Sequence, residues 1–132
     1  MNYEFRVMSN EIKNESIIAK KAYAFAIDIV KLYKNLTIDN KEFVLSKQLL
    51  RSGTSIGANV FESQHAESKA DFIHKMKIAI KESNETLYWL LVCEKCGSYP
   101  SGVDLKNAVE ELIRIISKII YSSKLKTNSN NG

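Results

Sequence analysis

The sequence predicts an all-α protein, an antiparallel up-down four-helix bundle in a single domain, and three observations predict it. Only one proline, Pro100, and five glycines interrupt 132 residues, and the stretches between them are rich in the helix formers Leu, Ala, Lys and Glu. Within those stretches apolar residues recur at spacings of three and four, the period of a helix that buries one face. Short polar or proline- and glycine-bearing segments divide the chain into four such runs. A hydrophobic content of 45% in a chain of this length fits one compact core rather than two domains.

The first helix is expected over about residues 15–36. Ile18, Ala22, Phe25, Ile29, Leu32 and Leu36 alternate steps of four and three, a bundle seam, with Asn14 placed to cap the start. Thr37 to Lys41, "TIDNK", is a polar turn. The third helix is expected over 69–96. Ser68 stands as its N-cap with Asp71 three residues on, an approximate capping box, and Gly97 follows as a C-terminal stop. The connector "GSYPSG", Gly97 to Gly102, is a clear break. The fourth helix is expected over 104–126. Leu105, Val109, Leu112, Ile116 and Ile119 form its seam, and Ala108, Ile113, Ile115 and Ile120 widen it. So broad a face suits either a contact with another subunit or a wide core face within a monomer. The ends, residues 1–13 and 127–132, carry no helical pattern and are expected to be flexible.

The second helix, expected over 41–66, contains "RSGTSIGANVFESQ", Arg51 to Gln64, which admits two readings. A phosphate-binding loop of this kind follows a strand and closes on a lysine and a serine or threonine. Neither is present. Helical spacing instead runs through Leu45, Leu49, Ser52, Ile56, Asn59 and Ser63, so the glycines lie inside one helix. Each internal glycine costs roughly 1 kcal/mol relative to alanine. Gly53 and Gly57 lie four apart on one face, where a neighbouring helix passing close would compensate; a kink between two shorter helices is the alternative.

Polar groups interrupt the same faces. Ser52, Ser55, Asn59 and Glu62 share one side of the second helix, and Ser83 and Glu85 fall in the middle of the third. Buried polar atoms need partners, so a side-chain network across these two helices is expected, with Ser55, Asn59, Glu62, Ser83 and Glu85 as its members. A carboxylate-based metal site using Glu62, Glu85 and His65 is the functional alternative, but bundle-core metal sites use several carboxylates with i, i+3 histidines, and only one such pair exists.

"QLLRSGTSIGANVFES" followed by "ADFIHKMKIAIKESNETLYWL" resembles the 23S rRNA-intervening-sequence protein family. Gln48, Arg51, Ser55, Ile56, Asn59 and Glu62 fit the family's first run; Asp71, Phe72, Ala79, Ser83 and Glu85 fit its second approximately; the resemblance covers about Ile17 to Ile120. Gly57 stands where a proline is common, Ser63 where a glycine usually follows the glutamate, and the first connector lacks its proline. The resemblance implies an up-down four-helix bundle that assembles as a homo-oligomer, a pentameric ring or barrel. It implies no established activity. The accessory proteins of diversity-generating retroelements are similar in fold and act with a reverse transcriptase and nucleic acid, so RNA, DNA or a nucleic-acid enzyme are the partners the resemblance suggests.

Other chemistry is thinly represented. "CEKC", Cys93 to Cys96, is half a zinc or redox site; no second pair exists and His65 and His74 are remote in sequence. Two ordinary helical cysteines are the plainer reading. Neither histidine has an acidic partner at a spacing that suggests a nucleophilic triad. Non-enzymatic function without a cofactor is therefore expected.

Nineteen Lys and Arg against fifteen Asp and Glu give a net charge of +4, mild basicity that permits contact with a polyanion without demanding it. Lys47, Arg51, Lys69, Lys75, Lys77 and Lys81 on helices two and three are the candidate nucleic-acid contacts, with Lys20, Lys21, Lys31 and Lys34 on helix one. A plain solvent face is the other reading of these lysines. Tyr88 and Trp89 are either stacking or core aromatics. No run approaches about 20 apolar residues, so no membrane-spanning helix is expected, and the two cysteines suit a cytoplasmic setting. The functional expectation is a homo-oligomeric binding or scaffold module for nucleic acid or nucleoprotein, with a protein-binding adaptor as the alternative.

Overall fold

The computed structural model describes residues 17–97 and 103–131. The expectations for residues 1–13, the Asn14 cap and most of the Gly97–Gly102 connector lie outside them. The described residues form four helices, α1 (Ile17–Ile38), α2 (Leu45–Ser63), α3 (Lys69–Lys95) and α4 (Val103–Asn131), and no strand. Contacts run α1 to α2, α2 to α3, α3 to α4, and α4 back to α1, so every helix packs on two neighbours. The core between them takes up the predicted seams of α1 (Ile18, Ala22, Phe25, Ile29), α2 (Leu49, Ile56) and α4 (Val109, Leu112, Ile116), together with Val60 of α2 and Met76, Ala79 and Leu90 of α3.

Two helix starts show how local chemistry sets the boundaries. α2 begins at Leu45, not at Lys41, because the backbone at Lys41 has φ +53° and cannot continue a helix. Glu42 then folds its carboxylate over the exposed helix end, accepting the N–H groups of Val44 (2.8 Å), Leu45 (2.7 Å) and Ser46 (2.6 Å). Glu42 is thus the cap of α2, a role the TIDNK turn did not advertise. For α3, Ser68 is extended and its hydroxyl accepts the N–H of Asp71 at 3.0 Å, as expected of an N-cap. Asp71 reaches back to the N–H of Glu67, one residue before the cap, at 3.3 Å.

At the other ends, α2 stops at Ser63, three residues before the expected Ala66, as its last turn tightens into bonds from Gln64 N to Phe61 O and His65 N to Glu62 O. Gly97 follows α3 with φ +54°, the left-handed turn in which glycine is least strained. α4 continues to Asn131, past the expected end at Lys126.

α2 is one uninterrupted helix across both glycines. A Cβ at Gly53 would meet Ile29 Cγ1 at 2.8 Å and Cγ2 at 2.9 Å, and one at Gly57 would lie 3.3 Å from the carbonyl oxygen of Ala22. The glycines therefore serve close packing of α2 on α1 rather than a bend or a loop.

Candidate nucleic-acid interface

The seam between α2 and α3 brings together Arg51, Lys75, Glu62 and Glu85 of the charged residues singled out in the sequence. Arg51 projects from α2 across to α3, where its guanidinium pairs with Glu85 and, at 3.4 Å, with Glu82, while Gln48 of its own helix accepts a further bond at 3.5 Å. The Arg51 hydrogen bond, against a smaller burial effect, holds the Glu85 carboxyl below its usual range. Further along the seam Lys75 of α3 reaches Glu62 of α2 at 3.0 Å. Of the six candidate cations, these two are therefore already committed to carboxylates on the neighbouring helix. Lys47, Lys69, Lys77 and Lys81 are exposed, and among the described residues no carboxylate stands within ion-pair distance of any of them.

The expected polar core is distributed differently. Ser83 is fully buried, but its hydroxyl donates to Ala79 O of its own helix at 2.7 Å. Ser55 likewise donates to Arg51 O at 2.6 Å and Asn59 to Ser55 O at 2.9 Å, both half-buried. Small polar side chains one turn from a carbonyl satisfy themselves locally, so they require no partner across the interface. Glu62 and Glu85 belong to the surface seam, not to the core, because Lys75 and Arg51 hold them there.

The buried bond that does cross from α3 to α2 joins Thr86 to Ser52: the Thr86 hydroxyl lies 2.9 Å from the Ser52 hydroxyl oxygen, and Ser52 in turn donates to Gln48 O at 2.9 Å. Thr86 and Glu82 went unnoticed in the sequence. Their signal was present all the same, since Glu82, Ser83 and Thr86 sit at helical spacing with Glu85 opposite the small-residue face of α2.

Glu62 and Glu85 turn to different cations, and among the described residues no three His, Cys, Asp or Glu side chains converge as a metal would require. Cys93 is buried and Cys96 exposed; burial, with Glu42 and Cys96 nearby, pushes the Cys93 thiol above its ordinary range and away from the thiolate that a metal or redox role needs.

Three of the four residues that widen the α4 face, Ala108, Ile115 and Ile120, pack partly buried against the core, as do Leu105 and Ile119 of its seam. Exposed apolar side chains lie on α4 at Tyr121 (65%) and Leu125 (48%), and on α1 at Tyr23 (51%) and Ile27 (39%). Tyr23 borders a groove of about 260 Å³ between α1 and α2, lined also by Ala26, Gly57, Ala58 and Phe61. No described helix is long and apolar enough to cross a membrane.

The fold has a counterpart in a known protein. A crystal structure of a protein of unknown function from the S23 ribosomal protein family of Bacteroides thetaiotaomicron VPI-5482 superposes with a TM-score of 0.77 at 45% sequence identity, covering 79% of this chain and 98% of that one. No curated protein matches the chain. The family model described as 23S rRNA-intervening sequence protein matches residues 14–120, which includes α1, α2, α3 and most of α4. The chain belongs to the 23S rRNA-intervening sequence protein family.

Proposed function

We propose that this chain is a non-enzymatic binding or scaffold module: an antiparallel up-down four-helix bundle that assembles with copies of itself, as a pentameric ring, and engages nucleic acid or a nucleoprotein in the cytoplasm. The observation that carries the reading is the division of the surface. An apolar face with a groove lies on the α1–α2 side, where Tyr23 and Ile27 stand exposed, while Lys47, Lys69, Lys77 and Lys81 on α2 and α3 are free of carboxylate partners among the described residues. Apolar surface of that kind is what self-association covers. Free lysines are what phosphates attract, and repeating them around a ring multiplies a weak contact into a usable, salt-sensitive one.

Other features agree with the reading. The turns from α1 to α2 and from α2 to α3 are short, which favours helices that run up and down in sequence order. The description of the family ties it to rRNA-intervening sequences. Cys93 and Cys96 form no disulfide among the described residues, which fits a reducing compartment. Glu62 and Glu85, the carboxylates best placed for acid–base work, are each held by a cation instead.

Light scattering on the purified chain, alone and with a structured RNA at low and high salt, tests the proposal. A mass near five times the 15.0-kDa chain, rising with RNA and falling back with salt, is the expected result. A monomer indifferent to RNA would overturn it, and a stable oligomer indifferent to RNA would leave a protein-binding adaptor whose groove between Tyr23 and Phe61 meets another protein.

A further inference from the structure

α3 carries four acidic side chains, and all four are engaged away from its outer surface. Glu82 and Glu85 pair with Arg51 on α2, Glu94 lies 3.9 Å from Lys106 on α4, and Asp71 accepts the N–H of Glu67 at the helix start. Lys75, the cation on the α2 side, is spent on Glu62. What remains between these two tied edges is a single ridge at steps of three and four: His74, Lys77, Lys81, Asn84, Tyr88, Leu91 and Lys95, every one of them exposed. The ridge holds three lysines and no acid.

An aromatic ring interrupts the cations at a telling place. Tyr88 is 58% exposed, yet it is braced, with the half-buried ring of Trp89 meeting it nearly edge-on at 5.1 Å and 70°. A braced ring loses little freedom when something stacks on its open face. By helix rise, Lys77 and Lys81 are about 6 Å apart, Tyr88 lies about 10 Å beyond Lys81, and Lys95 about 10 Å beyond Tyr88. Cations on both sides of an exposed ring, along a line of roughly 30 Å, are the elements by which proteins hold unpaired strands, with phosphates on the lysines and a base on the ring. A duplex keeps its bases stacked on one another and would use the lysines while leaving Tyr88 idle.

We infer that the outer ridge of α3 is a docking strip for single-stranded nucleic acid, in which Lys77 and Lys81 contact phosphates and Tyr88 stacks on an unpaired base. The inference rests on the nucleic-acid reading above and narrows it to one surface and one form of the ligand. Stacking does not depend on the sugar, so single-stranded RNA and DNA both serve as probes.

The test is fluorescence anisotropy with the full chain, using an unstructured RNA oligonucleotide, the DNA of the same sequence, and the duplex of each, over a series of salt concentrations. Single strands should bind more tightly than duplexes. Tyr88→Ala and Tyr88→Leu should weaken single-strand binding by about tenfold or more, in line with the ~1–3 kcal/mol that one stacked base contributes, while Tyr88→Phe keeps it. Lys77→Ala with Lys81→Ala should flatten the salt dependence by about 1.4 log units per log unit, two phosphate contacts for a single strand. Because all three positions are exposed, circular dichroism should show the fold unchanged. Duplex preference, or Tyr88→Leu binding like the wild type, overturns the inference and leaves general nucleic-acid binding standing. No binding to any of the four probes overturns both.

Discussion

Gly53 of α2 sits against Ile29 of α1 so closely that a methyl group added at Gly53 would stand 2.8 Å from Ile29 Cγ1 and 2.9 Å from Cγ2. Ile29 is completely buried, and both atoms are attached directly to its Cβ, so the side chain cannot swing its far end out of the way. Gly53→Ala gains about 1 kcal/mol of helix propensity but overpacks the core by about 1–3 kcal/mol. Net destabilisation of about 1 kcal/mol is expected in urea unfolding. Gly57→Ala, which meets the Ala22 carbonyl at the gentler distance of 3.3 Å, should be milder. Adding Ile29→Ala to Gly53→Ala should give a double variant less destabilised than the two single effects combined, and strict additivity would refute the contact.

Thr86 and Ser52 make a prediction of a different kind, since both hydroxyls are fully buried and each has a fallback in its own helix, Glu82 O for Thr86 and Gln48 O for Ser52. Neither Ser52→Ala nor Thr86→Val strands a polar atom. Each should therefore destabilise by only about 1 kcal/mol, the net value of one hydrogen bond. The double variant should fall short of the sum by roughly 0.5 kcal/mol or more, the signature of two groups that bond each other. Independent effects in a double-mutant cycle would show the link to be energetically silent.

How much of this was legible in the sequence divides along the range of the interaction. The seams of Ile18, Ala22, Phe25 and Ile29, and of Val109, Leu112 and Ile116, are periodic and local, and the buried core uses them as the pattern indicates. Gly53 and Gly57 were readable as a packing face because the helical phase never broke across them. The start of α2 was not, because it depends on a single left-handed residue, Lys41, followed by a glutamate whose side chain bends back on the backbone. Charge partners were legible least of all. A helix pattern places Arg51, Lys75, Lys77 and Lys81 on outward faces alike, and only the packing of α2 on α3 decides that the first two meet carboxylates and the others do not. Ser55, Asn59 and Ser83 illustrate the same limit from the other side, for a small polar residue looks identical in sequence whether it bonds across an interface or to its own preceding turn.

Glu42 ties the stability of the protein to acid. Burial by itself would raise its carboxyl, but bonds from the N–H groups of Leu45, Ser46 and Val44 and from the Ser46 side chain outweigh it and hold it below the ordinary value of 4.5. A carboxyl depressed in the folded state contributes stability that is present above its unfolded pKa and is lost as the pH falls through the folded value. Wild-type stability should accordingly decline below about pH 4.5. Glu42→Ala should remove about 1–2 kcal/mol at neutral pH, the scale of a lost helix cap, and should show a shallower decline in acid. Equal acid sensitivity in wild type and variant, measured by chemical unfolding between pH 3 and 7, would place the titration elsewhere.

Arg51 separates a structural cation from a binding one. Its guanidinium already faces Glu82 and Glu85, and reaching a phosphate would mean leaving both. With half its side chain in solvent, the pair contributes little to stability, so Arg51→Ala should shift unfolding by less than about 1 kcal/mol. Its effect on nucleic acid should be small too: losing Arg51 removes one positive charge and leaves Glu82 and Glu85 without their partner, so binding weakens through net potential rather than through a lost contact. Lys77→Ala, which removes a lysine with no carboxylate partner among the described residues, should weaken binding more and lower the salt slope, whereas Arg51→Ala leaves the slope unchanged. Anisotropy titrations of the two variants side by side settle the assignment, and a steeper loss of slope at Arg51 than at Lys77 would mean that the ion pairs open to receive phosphate.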